Sequence, residues 1–126
     1  SDKPNFISMA PGRVNIIGEH TDYNYGLAMP AAIERYVCVA MRKNSSETIN
    51  ATSTNFPESF SVKVNEKPKN VLWNKYVIGT VKEIYEKYEI CSGLDILIHS
   101  NLDIGSGLSS SAALELSIAN AILLPS

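Results

Sequence analysis

The sequence predicts an α+β fold, and three observations carry that reading. Short β-branched and alternating stretches crowd the first half of the chain. A helical period takes over near Trp73. A glycine-serine loop then leads from a strand into a second, apolar helix.

Taken in order, Asn5 to Met9 reads as a short strand closed by the turn signal Ala10-Pro11-Gly12, and Val14 to Ile17 as a second short apolar run. A polar stretch, Gly18 to Gly26, follows. Tyr36 to Arg42 is β-branched, aromatic or small, which predicts a strand buried on both faces. Thr48 to Thr52 and Phe60 to Val64 alternate and are expected to pair across the Asn55-Phe56-Pro57 region. Trp73, Tyr76, Val77, Thr80, Val81, Ile84, Tyr85 and Tyr88 recur at spacings of three and four, the apolar face of a helix from about Trp73 to Tyr88. That aromatic face reads as core rather than as a platform for stacking a base. Gly93 restarts the chain as a strand, Leu94 to His99. Ser109 opens the second helix, whose apolar residues run from Ala112 to Leu124 before Pro125.

Composition narrows the classes. The 126 residues suit one modest domain, and 44% apolar with 19% charged residues is unlike a disordered chain. A net charge of -2 offers no pull on nucleic acid or anionic lipid, and no apolar run reaches membrane-spanning length. Ser1-Asp2-Lys3-Pro4 lacks the features of a signal peptide. Cys38 and Cys91 are too few for a disulfide framework and are expected to be reduced core thiols. Asn44-Ser45-Ser46 and Asn50-Ala51-Thr52 match the glycosylation pattern, one that arises often by chance. The expectation is a cytoplasmic domain with small-molecule partners and no nucleic acid or membrane partner.

Two constellations carry chemistry. The first is Leu102-Asp103-Ile104-Gly105-Ser106-Gly107-Leu108-Ser109-Ser110-Ser111-Ala112-Ala113. Glycines let the backbone approach a ligand closely, and the unpaired amides of a helix's first turn hold anions. Three consecutive hydroxyls can bond phosphate oxygens, and one can reach a metal ion. The Walker loop would need a Lys before its Ser, and the dinucleotide fingerprint a glycine at Ser110; both are absent. Taken alone, the segment reads as a flexible loop capped by Ser109.

The second constellation is Gly12-Arg13-Val14-Asn15-Ile16-Ile17-Gly18-Glu19-His20-Thr21-Asp22-Tyr23. It gathers a guanidinium, two carboxylates and an imidazole between glycines. Carboxylates accept from neighbouring hydroxyls, as a polyol requires, and a permanent cation suits phosphate or a developing negative charge. Glu-His-x-Asp lacks the helical histidine spacing of zinc enzymes, and His99 is the only other histidine. As an anonymous tetrapeptide, Glu19 to Asp22 reads as a solvated loop.

Both strings resemble one family. Gly-Ser-Gly-Leu-Ser-Ser-Ser-Ala-Ala closely resembles the ATP-binding motif of the GHMP superfamily, which contains galactokinase, homoserine kinase, mevalonate kinase and phosphomevalonate kinase. Gly12 to Tyr23 resembles the galactokinase signature almost residue for residue. Gly26 to Ile33 and Trp73-Asn74-Lys75-Tyr76-Val77-x-Gly79 are similar to the same family. Asp103 departs from it, standing where the family usually has Pro.

The resemblance implies the N-terminal part of a GHMP kinase, of the ribosomal protein S5 domain 2-like fold, with residues 1–126 as one incomplete domain. It implies ATP and Mg2+ as cofactors and galactose as substrate, phosphorylated at its 1-hydroxyl. Gly105, Ser106, Gly107, Leu108, Ser109, Ser110 and Ser111 would wrap the phosphates, with Ser111 as magnesium ligand. Arg13 would act on the transferring phosphoryl group, and Glu19, His20, Thr21 and Asp22 would bind the sugar. Tyr23 and Tyr25 read as packing or loop residues. A catalytic Asp, a second magnesium ligand and a C-terminal domain would lie beyond residue 126, so the isolated piece is expected to be inactive. A kinase for N-acetylgalactosamine or arabinose, or a non-catalytic sugar-and-ATP-binding regulator, is the alternative reading.

Overall fold

The structure, a computed structural model, describes residues 3–66, 73–103 and 106–124. Strand β1 (Phe6–Ile17) and strand β2 (Met29–Asn44) form a long antiparallel hairpin, and a short 3-10 turn (Asp22–Asn24) lies in the connection between them. Strand β3 (Thr48–Ser53) and strand β4 (Phe60–Lys63) form a second hairpin. Helix α1 (Asn74–Tyr88), strand β5 (Gly93–Ser100) and helix α2 (Ser110–Leu123) complete the order. The sheet runs β1-β2-β5-β3-β4, antiparallel except where β3 lies parallel to β5. This is the mixed sheet with helices that the α+β reading expected.

The first hairpin departs from the sequence reading. Asn5–Met9 and Val14–Ile17 are not separate strands divided by a turn. They belong to one 12-residue strand, with register shifts at Pro11/Arg13 and Asn15/Ile17. Pro11 lacks an N–H, but β1 is an edge strand, where that loss is tolerated. β2 likewise begins at Met29 rather than Tyr36, because Met29 to Ala32 pair with Arg13 to Ile17. Pro30 and two alanines have weak strand propensity, and cross-strand pairing overrides it.

The core lies on one face of the sheet. Val37, Val39 and Met41 of β2 alternate inward beside Leu94, Ile96 and Ile98 of β5 and Ile49 and Ala51 of β3. Val77, Val81 and Tyr85 of α1 and Ala113, Leu114, Ile118 and Ala121 of α2 join the same cluster. Tyr36–Arg42 is therefore buried on one face only, since Cys38 and Ala40 alternate onto the other and are half-buried. Ile7, Met9 and Leu97 stand exposed on that second face. Ser117 is fully buried in α2, and its hydroxyl donates to the Val37 carbonyl (2.9 Å), which removes the penalty of burying it.

Helix α1 bears out the periodic reading, with Val77, Ile78, Val81, Ile84 and Tyr85 buried. Tyr88 is exposed, and Ile78, which the three-four spacing passed over, is inside. Trp73 is buried between Phe56 (ring centroids 5.9 Å, stacked) and Phe60 (5.0 Å), so it serves as core. Both cysteines are free, but neither is a core thiol: Cys38 is half-buried on the face opposite the core and Cys91 is exposed. Among the described residues, no helix is long and apolar enough to cross a membrane.

Candidate functional site

The two constellations meet at a single junction. Gly12 is buried in β1, and a Cβ there would run into Leu102 and approach the Leu108 carbonyl at 3.0 Å. Its bare backbone lets the loop after β5 lie directly on the strand. The Arg13 amide then donates to the Leu108 carbonyl (3.0 Å), 95 positions further along the chain. The next contact is between side chains. The Arg13 guanidinium donates from Nε (3.1 Å) and Nη2 (2.5 Å) to the Ser109 hydroxyl, and from Nη1 to the Asn15 carboxamide oxygen (3.4 Å). Among the described residues Arg13 has no carboxylate partner; the Ser109 hydroxyl and the Asn15 carboxamide orient its guanidinium.

Ser109 stands at the head of α2, where the sequence expected a capping serine. It occupies the cap position without making the cap: its hydroxyl bonds no amide of α2. Its backbone is left-handed, at φ 58° and ψ 40°. The first-turn amides of α2 therefore lack a side-chain acceptor at the cap, and no acidic residue lies in that turn. Ser110 and Ser111 are half-buried in it. Gly107 adopts φ 73°, which favours glycine. The Ser106 hydroxyl donates to the Asp103 carbonyl (2.6 Å), folding the loop on itself. Ile104 and Gly105, the latter a candidate phosphate ligand, lie outside the described residues.

The signature's polar end forms the loop of the first hairpin. The Thr21 hydroxyl lies 2.7 Å from the Gly18 carbonyl and 2.9 Å from the Leu27 carbonyl, and its single proton ties the loop's two sides together. The Thr21 carbonyl accepts from the amides of Asn24 (3.1 Å) and Gly26 (2.7 Å). Thr21 is thus the inward-facing fastener of this loop. Glu19 and His20 are exposed. His20 has a left-handed backbone, its carbonyl accepts from the Asn24 carboxamide (2.9 Å), and its Nδ1 lies 2.7 Å from the Tyr23 hydroxyl. Glu19 makes no hydrogen bond or ion pair with a described residue. The backbone of Asp22 opens the 3-10 turn; its side chain lies outside the description.

Asn15, Tyr23 and Asn24 make contacts near the site that sequence reasoning missed. Asn15 stands two positions from Arg13 on a strand, a spacing that places side chains on one face and would have flagged it. Tyr23 follows His20 by three, which a turn converts into contact. Among the described residues, no group of three His, Cys, Asp or Glu is placed to hold a metal ion.

This sheet, with β1 meeting the loop before α2, defines the class: the N-terminal fold of the GHMP kinases. Residues 75–124 match the family model described as GHMP kinases N terminal domain, and residues 1–43 match the galactokinase galactose-binding signature. A galactokinase of Roseiflexus sp. is 42% identical over 118 residues, which is 92% of this chain and 30% of that protein. A galactokinase of Clostridium tetani is 45% identical over 117 residues, 91% of this chain and 29% of that protein. The crystal structure of Lactococcus lactis galactokinase complexed with galactose superposes with a TM-score of 0.80 at 38% identity, covering 89% of this chain and 31% of that one. The chain belongs to the galactokinase family of GHMP kinases. It spans about 30% of the length of the curated relatives it matches.

Proposed function

We propose that this chain supplies the sugar-binding loop and the phosphate-binding loop of a galactokinase, which phosphorylates galactose at its 1-hydroxyl with ATP. The observation that carries this reading is the junction itself. Arg13, on the strand that leads into the signature loop, is bonded to Ser109 at the head of the phosphate helix, so the two strings meet across 96 positions. We read residues 1–126 as one N-terminal kinase domain carrying both.

The residues fit a nucleotide phosphate chain. The first turn of α2 has no side-chain cap and no acidic residue, and Gly107, at positive φ, has open space where a Cβ would stand. Amides from Ser106 to Ser111 would then donate to phosphate oxygens. Magnesium takes oxygen ligands and keeps several waters, which suits the Ser111 hydroxyl with phosphates and water completing the shell. When bound, the ion supplies charge neutralisation. Arg13 would place its cation against the transferring phosphoryl group, since this chemistry depends on positioning and electrostatics. Glu19 and Asp22 would accept from sugar hydroxyls, while His20 offers one ring nitrogen with the other held by Tyr23.

The test is direct. The intact protein should release ADP from ATP in a galactose-dependent manner and form galactose 1-phosphate. N-acetylgalactosamine and arabinose should support slower release. Faster release with either would reassign the sugar. Binding of galactose and ATP without turnover would make the protein a regulator. In calorimetry, Asp22→Asn should weaken galactose binding and leave ATP affinity nearly intact; equal losses for both ligands would sink the loop assignment.

A further inference from the structure

The Ser109 hydroxyl makes two contacts that neither phosphate binding nor helix capping explains. A serine oxygen has two lone pairs and one proton. Here the guanidinium of Arg13 occupies the acceptor side twice, through Nε at 3.1 Å and Nη2 at 2.5 Å. With Asn15 accepting from Nη1 at 3.4 Å, all three guanidinium nitrogens are held. The hydroxyl makes no cap to α2, and only its proton is left to donate. The backbone at φ 58° lies in the region that favours glycine over any residue with a Cβ. A serine therefore sits where glycine would be less strained, and its hydroxyl is spent on the arginine.

We propose that Ser109 is a positioning residue for Arg13: it clamps the guanidinium in the orientation that meets the transferring phosphoryl group. This rests on the proposed role of Arg13. A lone arginine on an edge strand samples many rotamers and loses that freedom when it engages a charge. The clamp removes part of that cost before the nucleotide arrives, which is how preorganised donors act. The backbone bond from the Arg13 amide to the Leu108 carbonyl (3.0 Å) joins the same strand and loop without the hydroxyl, so removing the hydroxyl loosens the guanidinium and leaves the two segments together.

The experiment is a double-mutant cycle in the intact protein, with kcat and KM for ATP and galactose measured for Arg13→Ala, Ser109→Gly and the pair. Ser109→Gly should lower kcat by about tenfold, the scale of one charge-assisted hydrogen bond. It should change the KM for galactose by less than about twofold, because sugar binding is not what the clamp serves. Its thermal midpoint should hold or rise as the strain at φ 58° is relieved. Arg13→Ala should be slow, and adding Ser109→Gly to it should slow it no further, since the serine acts only through the arginine. Ser109→Asn, which tolerates a left-handed backbone and restores an acceptor, should recover part of kcat. The Arg13 Nε–H resonance should broaden or shift in Ser109→Gly relative to the wild type, a readout that needs no turnover. Effects that multiply in the double mutant would overturn the proposal. So would a Ser109→Gly that raises the KM for ATP at unchanged kcat, which would put the hydroxyl on the nucleotide. A silent Ser109→Gly beside a slow Arg13→Ala sinks the clamp alone, whereas a silent Arg13→Ala sinks the function proposed for that residue and the clamp with it.

Discussion

Two polar clusters in this molecule contain acidic residues, and they treat them in opposite ways. At one end of the sheet, Asp95 of β5 is fully engaged. Its carboxylate accepts from Asn50 of β3 (2.8 Å), from Asn44 of β2 (2.8 Å) and from Arg42 Nε of β2 (2.7 Å), while Ser61 of β4 donates to Asn50 (2.7 Å). These bonds, the Asn50 and Asn44 donors foremost and Arg42 after them, hold the Asp95 carboxyl below its ordinary range. At the hairpin loop, Glu19 bonds no described residue, and His20 is held through one ring nitrogen by Tyr23. The loop's internal bonds come instead from Thr21 and from backbone. The contrast separates two carboxylates by their partners. Asp95 is bonded by its own chain across several strands, whereas no described residue takes the lone pairs of Glu19, which the function proposed above gives to the sugar. It also explains Asn44 and Asn50, which match the glycosylation pattern in sequence and act as donors to Asp95 in the fold.

If the comparison holds, mutations in the two regions should separate catalysis from stability. The largest effect belongs to Arg13→Ala, which should depress kcat of the intact protein by about two to three powers of ten, the scale of losing a transition-state electrostatic contact. Because Arg13 is exposed, its melting temperature should move little. A near-normal kcat would remove Arg13 from the mechanism.

Gly12→Ala should come next, and it should damage both properties at once. The added methyl meets Leu102 and the Leu108 carbonyl, so overpacking should destabilise the fold by about 1–3 kcal/mol. The same shift pulls Leu108 and Ser109 away from Arg13. A stable Gly12→Ala protein with full activity would show that the close approach of loop to strand is dispensable.

Asp95→Asn should do the reverse of Arg13→Ala. It should cost about 1–2 kcal/mol, a value discounted because the carboxylate is partly exposed, and leave the KM for galactose and ATP unchanged. The pH dependence has a definite sign. Since the folded-state carboxyl is held below its ordinary value of 3.8, its contribution is fully present above that value and is lost as pH falls through the lower folded one. Denaturant melts of wild type and Asp95→Asn should therefore differ at neutral pH and converge in acid below 3.8. Curves that stay parallel would show that ionisation of Asp95 does not support the sheet.

The smallest effect should be that of Tyr23→Phe. It removes the hydroxyl at 2.7 Å from His20 Nδ1 and frees the imidazole to turn. Galactose should bind about two- to fivefold more weakly, the size of one exposed neutral hydrogen bond, with no change in melting temperature. Calorimetry that finds unaltered galactose affinity would make the Tyr23–His20 contact incidental to the loop.

Local features of the sequence determined much of this protein. The three-four period set α1 at Asn74–Tyr88, alternation set the β3–β4 hairpin and β5, and the glycine-serine string set the entry to α2. Each is a short-range signal, in which propensity and periodicity agree with the final fold. Both candidate loops stood out as continuous strings, and it was their resemblance to a known family, not propensity or period, that marked them as sites. Tertiary structure decided the rest. The β1–β2 hairpin runs through Pro11, Gly12, Pro30 and two alanines, residues that argue for turns until a partner strand supplies the pairing. The burial of only one face of β2 depended on where α1 and α2 come to rest. Above all, the meeting of Arg13 with Ser109 across 96 positions could not be read from either string. It exists because Gly12 has no side chain to hold Leu102 and Leu108 off the strand, and a close approach between distant segments is a property of packing, which no local pattern records.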